Sequence, residues 1–175
     1  EFDAIIVGGN TVRNDDPLLT TRGKKFPEPA RVIFTKSLNL PKKRYLWDCS
    51  NARTIVAYDS TTADEKLLNR LPSSVEVEKL GSDNPKDLAI LLAKKGFNKI
   101  LWECGPKLAT EAIKKGCIQE IISFIAPKIL GGIPSLNPLN DFDFEDMNEV
   151  LSLKRNLLNI IDDDIYLRTT LLKDH

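Results

Sequence analysis

Residues Asp3 to Arg22 read DAIIVGGNTVRNDDPLLTTR: β-forming residues, a glycine turn, a polar helix start, then paired aspartates and an arginine. A strand feeding a glycine turn brings backbone N–H groups to a point, and a helix start there favours an anionic ligand. Beyond the turn, Asp16 offers a carboxylate that binds hydroxyls or handles a proton. Arg22 offers a guanidinium, which grips phosphate through two parallel hydrogen bonds. Together they suit a phosphorylated sugar next to a nucleotide. The turn itself, Gly8, Gly9, Asn10 and Thr11, lacks the Rossmann spacing and the Lys-Ser/Thr of a nucleotide phosphate loop. A tight strand-to-helix connection is its ordinary explanation.

Ligands of open α/β sheets bind beyond the carboxyl ends of strands, and two further stretches read as such ends. Thr35, Lys36 and Ser37 combine hydroxyls with one cation, enough for a ribose phosphate, although a plain polar loop has the same composition. In Glu103, Cys104, Gly105, Pro106 and Lys107 a carboxylate finishes a strand and a Gly-Pro pair opens a helix. The unsatisfied amides of that helix suit a pyrophosphate, and Glu103 is placed to reach a substrate beside it. A surface acid ahead of a well-capped helix is the alternative. Asp15 and Asp16 are also conceivable magnesium ligands, but no second acidic cluster is positioned to join them, so no metal is expected. Asp162, Asp163 and Asp164 read as a solvated turn.

The elements that must hold these groups follow from periodicity. Strands are expected at Ala4–Val7, Arg31–Thr35, Thr54–Tyr58, Val75–Leu80 and Lys99–Glu103. Between them Thr62 and Glu65 form a possible capping box ahead of Leu67, Leu68 and Leu71. Asn84 and Pro85 start a helix with Leu88, Leu91 and Leu92 on its buried stripe and Gly96 as its stop. A third helix runs from Pro106 to about Lys115, closed by Gly116. Alternation of this kind implies right-handed crossovers and a mostly parallel sheet. The last third changes to strands at Glu120–Ala126, Glu149–Arg155 and Ile165–Leu172, an antiparallel finish to an open sheet with helices on both faces.

With 175 residues the chain suits one domain, 1–175, with no internal boundary. Its 25 basic and 25 acidic residues cancel, which argues against a nucleic-acid groove or an anionic membrane surface. No run approaches the ~18 apolar residues of a membrane span. The three cysteines, Cys49, Cys104 and Cys117, form neither a disulfide framework nor a zinc pair, so a cytoplasmic setting is expected, with a plastid as the other option. The only histidine is His175, so neither a histidine metal site nor a Ser-His-Asp triad is expected. Opening at Glu1 and Phe2 and entering a core strand at once, the chain reads as part of a longer protein.

Three stretches carry a resemblance: DAIIVGGNTVRNDDPLLTTR, WECGPKLATEAIKKGCIQEIISFIAPKILGG and DDDIYLR. In this order, and over nearly the whole chain, they resemble the C-terminal reductase domain of the bacterial riboflavin-biosynthesis deaminase/reductase, whose fold is like that of dihydrofolate reductase. The resemblance implies NADPH-dependent reduction of 5-amino-6-(5-phosphoribosylamino)uracil to its ribityl product. It implies that Arg22 clamps the substrate phosphate, Leu19 lines the pocket, Asp16 engages the ribose, and Glu103 orients the sugar or pyrimidine. For NADPH it implies phosphate at Gly8 and Thr11, the adenosine side at Thr35 and Ser37, and pyrophosphate at Gly105, Pro106, Lys107 and Leu108. Asp16, or a water it holds, is the expected proton source. Cys104 stands where the family normally has a second glycine, and the family's domain begins with an earlier strand. A homo-oligomer is expected, with a zinc deaminase domain upstream; the deaminase signature itself is absent from these residues. Two alternatives stay open: a nucleotide-binding or oligomerisation module without turnover, and a reductase of the same superfamily acting on another pterin-like or pyrimidine substrate.

Overall fold

The computed structural model describes residues 2–24, 26–129, 137–140 and 142–172. Five parallel strands, β1 (Ala4–Gly8), β2 (Ala30–Thr35), β3 (Thr54–Asp59), β4 (Glu76–Leu80) and β5 (Ile100–Trp102), form a sheet in the order β4-β3-β2-β1-β5. Residues of β1, β2 and β3 are buried almost throughout, as continuous apolar runs in a sheet covered on both faces require. One face packs Ile6, Val32, Phe34 and Ile55 against Leu88 and Leu92 of α2 (Pro85–Lys94) and Leu108 of α3 (Pro106–Lys114). The other packs Val7, Ile33 and Val56 against Val12 of α1 (Gly9–Asn14) and Leu46 and Trp47 of the 3-10 turn Tyr45–Trp47. Charge occupies the β4 edge, where Lys95 bridges Glu76 and Glu78.

The antiparallel finish forms a separate sheet, β6 (Glu120–Ile125), β7 (Leu153–Ile161) and β8 (Asp164–Leu171), in the order β6-β8-β7. Among the described residues, β5 and β6 each have a single hydrogen-bonded neighbour strand.

Two expected elements differ. The strand expected at Glu149–Arg155 lies at Leu153–Ile161, behind a 3-10 turn Met147–Glu149 that the Asp146 side chain caps. Its register is set by the tight turn at Asp162, φ 53°, which pairs Ile160 with Ile165 and draws the mostly apolar run 157–161, interrupted by Asn159, into the ladder. The Thr62/Glu65 capping box does not form either. Thr62 Oγ1 donates to Asp59 and to the Lys36 carbonyl, Glu65 accepts from the Tyr58 hydroxyl, and Asp64 caps a 3-10 helix, Glu65–Arg70, instead. Where interactions are local, expectation and structure agree: Asn84 Oδ1 caps α2 at the Lys86 N–H, and Gly96 and Gly116 close α2 and α3 at φ 89° and 68°.

Candidate functional site

Because β1, β2, β3 and β5 are parallel, Gly8, Thr35, Asp59 and Glu103 emerge along one edge of the sheet. The Glu103 N–H donates to the Ile6 carbonyl at 3.0 Å, prolonging the β1–β5 pairing to the carboxylate. The three strand-end turns lie close together. A Cβ on Gly9 would lie 2.7 Å from Thr35 Oγ1 and 3.0 Å from its Cβ, so the first turn passes against the second. A Cβ on Gly8 would come within ordinary van der Waals range of Leu108 Cδ2, at 3.8 Å, so the first turn lies beside the start of α3. Glycine at position 9 is therefore a demand of close approach. Replacing Gly9 by alanine is expected to cost about 1–3 kcal/mol of stability through this overlap. An unchanged thermal midpoint would mean that Thr35 yields at no cost.

At the third turn Gly105 caps α3 in an extended conformation, φ −67° and ψ 167°, and Pro106 occupies the first turn. No side chain caps this helix, and a Cβ on Gly105 would meet nothing within 4 Å. The first-turn N–H groups of Lys107 and Leu108 thus take no side-chain cap, and the space beside Gly105 is open. Cys104 adopts no left-handed backbone, so its side chain is tolerated where a glycine was expected. Burial pushes its thiol up to about 11, which keeps it protonated and poorly nucleophilic at neutral pH. Thr35 is buried, whereas Ser37 is exposed and accepts the Asn39 N–H at 3.4 Å within its own loop. Thr11 is half-buried inside α1, whose six residues give it only a weak dipole.

At the end of β3 is a group that sequence reading passed over. Asp59 is buried and accepts from the Thr61 N–H at 2.9 Å, the Thr61 hydroxyl at 2.7 Å and the Thr62 hydroxyl at 2.9 Å. Burial alone would raise its carboxyl, but these donors together hold it below the usual carboxylate range. Asp-Ser-Thr-Thr after a strand is a readable turn signal, though not a sign of burial.

The expected substrate residues share an unusual backbone. Asp16, Leu19 and Arg22 have φ of 45°, 49° and 54°, the left-handed region that non-glycine residues occupy at a cost. The surrounding loop is tied down to hold them. Both oxygens of Glu28 accept from Thr21, through its N–H and its hydroxyl, each at 2.7 Å. That N–H, followed by the hydroxyl, keeps the Glu28 carboxyl below its ordinary range. Leu19 packs on the cluster containing Val12 and Trp47, and Arg22 is exposed. Since Glu28 lies just ahead of β2, the loop runs from the end of α1 toward the amino end of the sheet, with Asp16 near one end and Arg22 near the other. Sequence reading also missed Arg44, whose guanidinium donates to the Val12 and Arg13 carbonyls at 2.8 Å each. These contacts are remote in sequence and leave no local signal.

This is an open α/β domain of dihydrofolate reductase type, with three strand-end turns gathered along the carboxyl edge of its parallel sheet. Residues 1–165 match the model of the RibD C-terminal domain. The chain is 41% identical over 155 residues to the riboflavin biosynthesis protein RibD of Synechocystis, covering 87% of this chain and 42% of that protein. It superposes on RibD of Acinetobacter baumannii with a TM-score of 0.79 at 25% identity, covering 98% of this chain and 47% of that one. It also superposes on a diaminohydroxyphosphoribosylaminopyrimidine deaminase/5-amino-6-(5-phosphoribosylamino)uracil reductase of Thermotoga maritima, with TM-score 0.75, 25% identity, and 98% and 46% coverage. The chain spans less than half the length of each of these relatives. It belongs to the RibD C-terminal domain family, a reductase family of riboflavin biosynthesis.

Proposed function

We propose that this domain catalyses the NADPH-dependent reduction of 5-amino-6-(5-phosphoribosylamino)uracil. The observation that carries the reading is the close approach of Gly9 to Thr35, with Gly8 beside Leu108 at the start of α3, along an edge ending in Glu103. The uncapped amides of Lys107 and Leu108, open above Gly105 and next to Pro106, fit a pyrophosphate. Gly8 and Thr11 would hold further phosphate, and Thr35 and Ser37 the adenosine side. A dihydronicotinamide held along that edge supplies hydride. Reduction adds it at C1′ while the C1′–O4′ bond opens and O4′ takes one proton, giving the ribityl chain. Asp16 binds the ribose and delivers that proton, directly or through a water. Glu103 orients the sugar or pyrimidine, and Leu19 lines the pocket. Arg22, at the far end of the loop, takes the phosphate and so points the sugar toward the carboxyl edge. Aligning two bound molecules at a reacting distance lowers the barrier by several kcal/mol without a nucleophile or metal.

The same proposal extends to the setting. The free thiols of Cys49, Cys104 and Cys117 fit a reducing compartment, cytoplasmic or plastid. No helix among the described residues is long and apolar enough to cross a membrane. Exposed Leu157, Leu158, Ile160 and Ile161 on β7 favour cover by a second copy, and an upstream zinc deaminase domain belongs to the proposed whole. The decisive assay follows NADPH absorbance in the intact protein with the phosphoribosylaminopyrimidine added. Oxidation should require that compound and yield the ribitylamino product. Thermal stabilisation by NADPH without oxidation would select the idle nucleotide-binding module, and equal turnover of a substrate lacking the phosphate would select another superfamily reaction.

A further inference from the structure

We infer that Arg44 is a positioning residue for the reduction, joining the end of α1 to the substrate carboxylate of Asp16; this rests on the proposed role of Asp16. The last carbonyls of a helix lack partners within it. Here Arg44 supplies donors from outside, Nε to the Val12 carbonyl and Nη2 to the Arg13 carbonyl, both at 2.8 Å, while Nη1 donates to the Lys43 carbonyl at 3.0 Å. A cation at that end also meets the negative pole of the peptide dipoles.

The same short segment holds Asp16. Tyr45 N–H donates to Asp16 Oδ1 at 3.0 Å, and Arg44 Nε lies 3.8 Å from that same oxygen. Among the described residues Oδ2 takes no hydrogen bond, so one carboxylate oxygen is fixed by the protein and the other is left for a ligand. Both side chains are partly shielded, Arg44 at 24% and Asp16 at 32% exposure, so the attraction is less screened than in a fully exposed pair. The segment is itself anchored, since Leu46 and Trp47 are buried and Trp47 Nε1 donates to the Pro41 carbonyl at 2.9 Å. A left-handed aspartate needs such restraint, because its backbone is disfavoured when free. Arg44 thus fixes the carboxylate relative to α1, whose opposite end borders the proposed cofactor edge.

The test compares Arg44→Gln and Arg44→Lys in the intact protein, alone and combined with Asp16→Asn. Arg44→Gln should lower kcat about tenfold with a smaller rise in the KM of the phosphoribosylaminopyrimidine, the signature of a weakened Asp16, and leave the NADPH Kd within about twofold. Arg44→Lys should recover part of the loss, because an ammonium restores the charge without bridging two carbonyls. In the Asp16→Asn background the Arg44→Gln change should shrink to less than about twofold. Arg44 is not a positioning residue if its full effect persists in that background, if NADPH affinity falls in parallel, or if kcat does not move. Asp16→Asn with unchanged kcat and KM overturns instead the role of Asp16 on which the inference stands.

Discussion

Arg22→Ala is expected to raise the KM of the phosphoribosyl substrate about 100-fold while the NADPH Kd stays within about twofold. Hydrogen bonds to charged groups contribute about 1.5–3 kcal/mol each, and a guanidinium facing a phosphate makes two, so loss of about 2.7 kcal/mol is a conservative figure. The exposure of Arg22 has a consequence of its own. The attraction is screened by salt, and wild-type KM should climb with ionic strength more steeply than that of Arg22→Ala. Arg22→Lys should recover the charge but not the paired geometry and fall between the two. Stability should change little, because the loop is tied through Thr21 and Glu28, and the Arg22 N–H to the Thr20 hydroxyl survives the substitution. Steady-state kinetics at two salt concentrations is the measurement. Unchanged KM in the intact protein would remove Arg22 from the phosphate site.

How far the chain was readable depends on the range of each interaction. The capped start of α2 at Asn84 and Pro85, its left-handed stop at Gly96, and the Asp162 turn are decided within a few residues, and all stand where pattern and composition put them. The Thr62/Glu65 box was equally well formed as a pattern, but Asp59 and Tyr58 compete for the same side chains from β3 and win. In β7, run 157–161 has no alternation to mark it as a strand, and its place is set by pairing with β8 across the Asp162 turn. The site divides the same way. Strand-end turns announce themselves by glycine and hydroxyl residues, whereas their contact, Gly9 against Thr35, follows only from strand order. Nothing in Pro-Leu-Leu-Thr-Thr-Arg foretells a left-handed leucine, and nothing beside Arg44 foretells a helix end some thirty residues away.

Asp16→Asn separates charge from shape at the proposed proton source. Asparagine tolerates the left-handed backbone that Asp16 adopts at φ 45°, and its amide oxygen can still accept the Tyr45 N–H that Oδ1 accepts at 3.0 Å. The fold of the loop should therefore persist, with a thermal midpoint close to wild type. What disappears is the ability to give up or take a proton. General acid–base catalysis by a placed side chain is worth about 10²–10⁴ in rate, so kcat should fall about 100-fold, with a smaller rise in KM from weaker hydroxyl binding. Asp16→Ala should lose the Tyr45 anchor as well and combine the fall in kcat with a larger rise in KM. If Asp16 served only to hold the loop, the order would invert: Asp16→Asn would be nearly silent and Asp16→Ala would carry the whole effect. Comparing kcat and KM of the two variants therefore decides between proton transfer and scaffold, and a kcat for Asp16→Asn within about threefold of wild type would place the proton donor elsewhere along the edge, with Glu103 the next carboxylate to test.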